Sequence, residues 1–429
     1  MECEKTHLNT PLIWKSYLSH FTAGLPVVTN DQSIIRMKKI LILTSLALLP
    51  LYALAIRIIS GPYLQNVTDS EATVVWRTDK PATAWVELAP DDGTDFYACQ
   101  RPGTYSTRIG RAVIDTLHTV TLKGLSPDTR YRYRIFSEEV TDMVPWHINY
   151  GGIAASDIWQ HKPLTFRTLN PKGDSINFKV VNDIHGNRET LTSLLKGIDN
   201  NNTDFVVFNG DMVSWMNNEQ QVFDDFINCS SEIFAAEVPF FMVRGNHETR
   251  GNWCTEYMRY FPSPTGVPYY TFRAGPVFFT VLDSGEDKPD SDIEYSRTAF
   301  FDQYRSEQAK WLEEVIDSEQ FKTAPYRVVI VHMPPVITDW HGLIDAKEKF
   351  LPLLNKAGID LMLSGHFHKL IYTEAGEKEP EFPIIINSDK TIIGGHQRAT
   401  VLSDLGYTEV ECIMVDIDKT KDCLLYTSD

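Results

Sequence analysis

Residues 177–211 read NFKVVNDIHGNRETLTSLLKGIDNNNTDFVVFNGD, and this stretch decides the architecture. NFKVVN is a short apolar run of strand character that ends in Asp183-Ile184-His185. Leu191, Leu194, Leu195 and Ile198 then fall at the i, i+3, i+4, i+7 spacing of a helix face. DFVVFN is a second apolar run and ends in Gly210-Asp211. Strand, helix and strand in this order predict a layered α/β domain. The pattern continues outward. A helical stretch near 218–235 precedes PFFMVR, and helix-like segments at 306–320 and 346–357 precede YRVVIV and IDLMLS. YYTFRAGPVFFTVLDS reads as a hairpin between them, so a mixed central sheet is expected in a domain covering 174–429.

Upstream of Asn170-Pro171-Lys172-Gly173 the texture differs. ATVVWRT, TAWVEL, HTVTLKGL, RYRYRIF and LTFRT alternate apolar and polar positions between Gly, Pro and Asp turns, as in a small antiparallel sandwich over 58–168. LSPDTRYRYRI, a tyrosine-rich strand after a Pro-Asp turn, resembles a fibronectin type III-like module.

At 429 residues two packed units are the natural expectation, and 43% hydrophobic with 23% charged residues excludes wholesale disorder. The net charge is −17 and no lysine- or arginine-rich run occurs, so a dedicated nucleic-acid partner is not expected. From Met37 the chain reads MKKILILTSLALLPLYALA: two lysines, an apolar run, then Ala53-Leu54-Ala55. Those are the parts of a signal peptide at 37–55, cleaved after Ala55. Its apolar stretch, 40–55, is shorter than the ~20 residues that span a bilayer. An exported protein, periplasmic or secreted and without a stable membrane span after cleavage, is therefore expected. Residues 1–36 read as a non-native upstream extension. Residues 1–55 hold five basic and three acidic side chains, so a chain starting at Ile56 carries −19. None of the six cysteines forms a CxxC pair. Cys412 and Cys423 flank a turn-like DIDKTKD and are a candidate disulfide, with buried free thiols as the alternative.

Each of the five apolar strands ends in polar residues: Asp183-Ile184-His185, Gly210-Asp211, Gly245-Asn246-His247-Glu248, His332, and Gly365-His366-Phe367-His368. Loops at the carboxyl ends of strands in α/β sheets converge on ligands. Two aspartates, one amide and five imidazoles would meet on one rim, an arrangement that folding alone does not require. Taken singly, Gly-Asp is usually a turn, Gly-Asn-His-Glu a helix cap and a lone histidine a core residue. Gly-His-x-His is the sharpest motif, because i and i+2 point the same way from an extended segment.

The order D-x-H, G-D, G-N-H-E, H, G-H-x-H over residues 176 to about 415 resembles the calcineurin-like metallophosphoesterase superfamily. With a preceding sandwich, the layout resembles its purple acid phosphatase branch. The resemblance implies one metal held by Asp183, His185, Asp211 and His368, and a second held by Asp211, Asn246, His332 and His366. His247 would contact the phosphate and assist the leaving group. Oxygen and imidazole donors without thiolate suit Zn, Mn or Fe. Two such ions about 3.5–4 Å apart clamp a phosphoryl group and turn a shared water into a hydroxide nucleophile. Where the purple branch carries an iron-ligating tyrosine this chain has Ser214, so a tyrosinate–iron pair is not expected. Trp215, Trp253, Trp340, His341 and Arg250 sit on the motif loops and are candidates for substrate contact.

The expected activity is hydrolysis of small phosphate mono- or diesters at a dinuclear metal centre. The rival from another class is an exported β-sandwich binding or adhesion protein with a non-catalytic phosphoesterase-like domain. Retention of all seven ligand positions and His247 weighs against it.

Overall fold

The computed structural model describes residues 55–158, 161–335 and 340–371, and the backbone alone of Ile384–Asn387, Ile392–Gly394 and Cys412–Val415. The upstream stretch 1–36, the leader segment up to residue 54 and the proposed Cys412–Cys423 pair lie outside the described side chains. Cys99 is disulfide-bonded, and Cys229 and Cys254 are free thiols. No helix among the described residues is long and apolar enough to cross a membrane.

The N-terminal unit is all β. ATVVWRT and TAWVEL, expected as two strands, form one 20-residue strand, Glu71–Pro90. Its first half pairs with Ile58–Gln65 and Asp115–Lys123, and its second half with Arg130–Val144. The change of partner falls between Arg77 and Ala82, where exposed Pro81 bends the chain without ending it. Proline has no N–H to give the ladder, so it is tolerated where pairing switches. Val74, Trp76, Ala84, Val86, Val120, Tyr133, Ile135 and Phe166 fill the core, and the Trp76 indole donates to Ser137 Oγ at 2.8 Å. A hairpin partner to Arg130–Val144, His147–Ala155, was not legible in the sequence.

The C-terminal unit stacks two sheets rather than building one, and Ile384–Asn387, Ile392–Gly394 and Cys412–Val415 pair as a further three-stranded sheet. Phe178–Val181, Phe205–Asn209 and Phe240–Val243 are parallel neighbours. The second sheet is mixed: Tyr270–Ala274 pairs antiparallel with Val277–Leu282, which runs parallel to Tyr326–Val331, itself parallel to Leu361–Leu363. Alternation along each strand divides its side chains between two faces. Phe205, Val207, Phe241 and Val243 meet Phe272, Phe279, Val281 and Ile330 between the sheets, and the Phe241 and Phe272 rings stack with centroids 3.8 Å apart. Val206, Phe208, Phe240 and Met242 face outward, onto Arg188–Leu195 and the helical stretch 219–235. Phe278, Leu282, Val329 and Val331 are covered by Phe301–Asp317 and His341–Ala357. The order is helix, sheet, sheet, helix.

The two units share a buried seam. Tyr63, Val75 and Leu117 of the sandwich join the core that contains Phe223, Phe240 and Tyr260, and Tyr63 Oη donates to the Tyr260 carbonyl at 2.9 Å.

Candidate metal centre

The carboxyl ends of both stacked sheets open onto one rim, and the rim residues leave their strands in an unusual conformation. Asp183, His185, Asp211, His366 and His368 all have φ between +49° and +75°. Left-handed backbone is disfavoured for residues with a Cβ and concentrates where function over-determines the geometry. Here it turns five side chains back over the strand ends. Glycines make the close approach possible. A Cβ at Gly245 would lie 2.2 Å from Asp211 Oδ1, and one at Gly365 2.7 Å from Asp183 Oδ2.

Three overlapping groups of donor atoms result, each able to surround a cation: Asp183, His185 and His368; Asp211, His332 and His366; and His185, Asp211 and His247. His368 Nε2 lies 3.4 Å from Asp183 Oδ1 and 3.2 Å from His185 Nε2. Asp211 stands between the groups. Its Oδ1 accepts the His247 backbone N–H at 2.9 Å, while its Oδ2 faces His332 Nε2 at 2.9 Å and His247 Nε2 at 3.9 Å. All seven residues expected as ligands therefore meet on one rim, together with His247.

These donors fit cations. His332 Nδ1 donates to the Asn209 carbonyl at 2.7 Å, which leaves Nε2 as a lone pair directed at two carboxylates. Lone pairs and carboxylates at that distance need a proton or a metal ion between them. Burial lowers the pKa of His332, but Asp211 and Asp183 outweigh it and raise it to about 9. His366, by contrast, is pushed down to about 4 by burial and by His332, and its buried Nε2 has no hydrogen-bond partner. The Asn246 side-chain amide lies against the same atoms, its NH2 donating to Asp211 Oδ2 at 3.3 Å and His366 Nδ1 at 3.1 Å. Its oxygen accepts from Arg250 Nη2 at 2.9 Å.

Two acidic residues that the sequence reading left without a role organise the rim. Glu248 is 1% exposed and accepts backbone N–H groups from Asp211, Met212 and Gly245 at 2.8–2.9 Å and from Val213 at 3.4 Å. It clamps the Gly210-Asp211 turn to the Gly245-Asn246 turn. Burial and the Asp211 charge push its pKa up to about 7, against the pull of those donors. Four donors and no facing acceptor favour the carboxylate. Glu286, also 1% exposed, holds Arg250 through two contacts, Nε–Oε1 at 2.7 Å and Nη2–Oε2 at 2.8 Å. Arg250 Nη1 is thereby left 3.3 Å from His247 Nε2, and His247 Nδ1 lies 2.9 Å from the Ser214 carbonyl. Glu248 stood in the G-N-H-E motif and could have been read as more than a cap. Glu286 carries no local signal.

The remaining candidates divide. Trp340 packs against His366 with ring centroids 5.1 Å apart, and Trp215 follows Ser214 directly. Both are about half exposed. Trp253 does not face the rim: its Nε1 donates to Tyr260 Oη at 2.5 Å and its ring packs on the core, so it is a packing residue. His341 is likewise occupied elsewhere, with Nε2 at 2.9 and 3.0 Å from the two Asp302 carboxylate oxygens.

Comparison with known proteins agrees with this layout. Residues 61–148 match the purple acid phosphatase N-terminal domain and residues 176–370 match the calcineurin-like phosphoesterase family. Probable purple acid phosphatase 20 of Arabidopsis thaliana is 26% identical over 274 residues, 59% of this chain and 54% of that protein. Probable inactive purple acid phosphatase 24 of the same plant is 25% identical over 317 residues, 66% of this chain and 47% of that protein. The chain spans about half the length of these relatives. Among solved structures, the fn3 domain of human collagen alpha-1(XX) chain aligns at 19% identity over 27% of this chain and 88% of that chain, with a TM-score of 0.17. The chain thus joins a purple acid phosphatase N-terminal domain to a calcineurin-like metallophosphoesterase domain.

Proposed function

We propose that this protein hydrolyses small phosphate mono- or diesters at a centre of two metal ions. One observation carries the reading: two donor sets lie side by side with Asp211 between them, on backbone held in a disfavoured conformation. In this reading Asp183, His185 and His368 would hold one ion, Asn246, His332 and His366 would hold the other, and Asp211 would serve both. Zn, Mn or Fe suits such nitrogen and oxygen donors. Bound there, the ions supply Lewis-acid polarisation of the phosphoryl oxygens and a water of lowered pKa.

The protein's own side chains do the rest. His247 is oriented by the Ser214 carbonyl, so its Nε2 faces the space between the two sets, where it donates a proton to the departing alkoxide oxygen. Arg250, braced by Glu286, places one N–H edge beside that ring and supplies a fixed positive charge for a phosphate oxygen. Such local charge is needed because a chain of net −17 repels anions at long range. Ser214 Oγ turns to the His185 carbonyl at 3.3 Å, and no phenolate occupies that position. The reading extends to a leader at 37–55, export to the periplasm or beyond, and domain limits of 58–168 and 174–429.

The name "probable inactive" on one relative favours the second reading, a binding protein with a silent site. Metal-reconstituted protein assayed on mono-, di- and pyrophosphate substrates separates the two. Turnover of a mono- or diester that disappears on chelation and returns with Zn, Mn or Fe supports hydrolysis. Two tightly bound ions with no turnover of any ester supports the silent site.

A further inference from the structure

One indole, Trp340, borders the metal cluster and another, on the same kind of loop, does not. Trp253 is spent on packing, as its bond to Tyr260 shows. Trp340 instead meets the His366 ring at 83° and 5.1 Å and the Phe367 ring at 6.1 Å, yet 47% of it stays open to solvent. Trp215, 49% exposed, follows the serine whose carbonyl meets His247 and whose hydroxyl meets His185. The Trp340 indole therefore adjoins the His366 side of the cluster, and Ser214, one residue before Trp215, meets the His185–His247 side.

Trp340 also stands on a braced element. Its carbonyl accepts the N–H groups of Leu343 and Ile344 at 3.1 and 3.0 Å, opening the His341–Ala357 helix. The next residue, His341, is tied to Asp302, and Asp302 pairs with fully buried Arg305. Gly342 sits so close to the 286–287 backbone that a Cβ would lie 1.9 Å from the Glu286 carbonyl oxygen. This helix start is thus packed against the loop that also supplies the Arg250 clamp. A large aromatic face held open on a rigid support is the composition of a stacking surface.

We propose that Trp340 forms an aromatic subsite beside the metal centre that takes a planar ring on the alcohol side of the phosphoester. The proposal rests on the phosphoesterase reading for its phosphate half. A nucleobase and a simple aryl group share the chemistry, since each offers a π-face and neither adds charge beside an acidic protein.

The test compares adenosine 5′-monophosphate with ribose 5-phosphate. Both release a primary alkoxide and they differ in the base, so leaving-group chemistry cancels in the ratio of their kcat/KM values. The wild-type ratio should favour the nucleotide. It should fall roughly tenfold in Trp340→Ala, the scale of one lost base–aromatic stack, and recover in Trp340→Phe. Benzyl phosphate, assayed alongside, tells whether a bare aryl ring is taken as well as a base. A wild-type ratio near one, or a ratio unchanged by Trp340→Ala, overturns the subsite. Adenosine binding to the metal-free protein, measured by calorimetry, supplies a readout independent of hydrolysis. If no ester is turned over but adenosine binds and Trp340→Ala weakens it about tenfold, the subsite stands and the phosphoesterase reading falls.

Discussion

Replacing Glu248 by glutamine keeps the shape of the side chain and removes half of its accepting capacity. Oε2 serves the N–H groups of Asp211 and Gly245, both at 2.9 Å, and Oε1 serves Met212 at 2.8 Å and Val213 at 3.4 Å. An amide presents one oxygen, so one pair of N–H groups must face an NH2. The better pair will keep the oxygen, leaving Met212 and Val213 without an acceptor inside a site that is 1% exposed. A hydrogen bond to a charged group contributes about 1.5–3 kcal/mol, and the 3.4 Å contact is weak. The expected loss is therefore about 2–4 kcal/mol of unfolding free energy, read by urea denaturation of the chelated protein at pH 7.5. Metal affinity should fall as well, by about 10–100-fold, because the clamp sets the position of Asp211. A Glu248→Gln protein as stable as wild type, with unchanged metal affinity, would show that Glu248 is already protonated at neutral pH. The clamp would then be no carboxylate.

Three further predictions concern distinct links. In the sandwich, burial pushes the His118 pKa down to about 4 from an ordinary value of 6.5. The unfolded chain therefore binds this proton first, and stability should be complete above pH 6.5 and lost as pH falls toward 4, by roughly 3 kcal/mol at about 1.4 kcal/mol per unit; urea titrations should show that slope shrinking in His118→Gln. His247→Ala should keep its bound metal while the rate falls by roughly 10²–10⁴-fold, least on esters whose leaving group needs no proton; metal loss equal to that of His366→Ala would make His247 a ligand, as its membership of the third donor group allows. Purified protein should be colourless or pale, because Ser214 stands at the tyrosine position; an intense visible band surviving in His185→Ala would show that another phenolate is recruited.

The parts legible in the sequence were those written locally. Five apolar runs ending in Asp, Asn and His declared both the strands and the rim, since a strand end fixes where the next side chain can go. Which strands neighbour one another is not local information, and so two stacked sheets were read as one. The Glu71–Pro90 strand was divided at Pro81 because a proline normally ends pairing, whereas here it marks an exchange of partners. Side chains whose role is set by a distant partner were the least legible. Trp253 bonds to Tyr260, seven residues on, and His341 to Asp302, 39 residues back, and neither partner carries a motif of its own. Arg250 is a candidate for substrate contact from its motif loop alone, but the residue that fixes it, Glu286, lies 36 positions away.

The central claim is that two ions share one carboxylate, and metal counting on Asp211→Asn against wild type tests it most directly. Wild-type protein reconstituted with excess Zn or Mn and then desalted should retain about two ions per chain, as a two-metal hydrolytic site requires. In Asp211→Asn, which keeps the size of the side chain and removes its charge, both ions should be weakened together and turnover should collapse with them. Loss of a single ion, or retention of both with near-normal activity, would contradict a bridging Asp211 and with it the dinuclear account of this site.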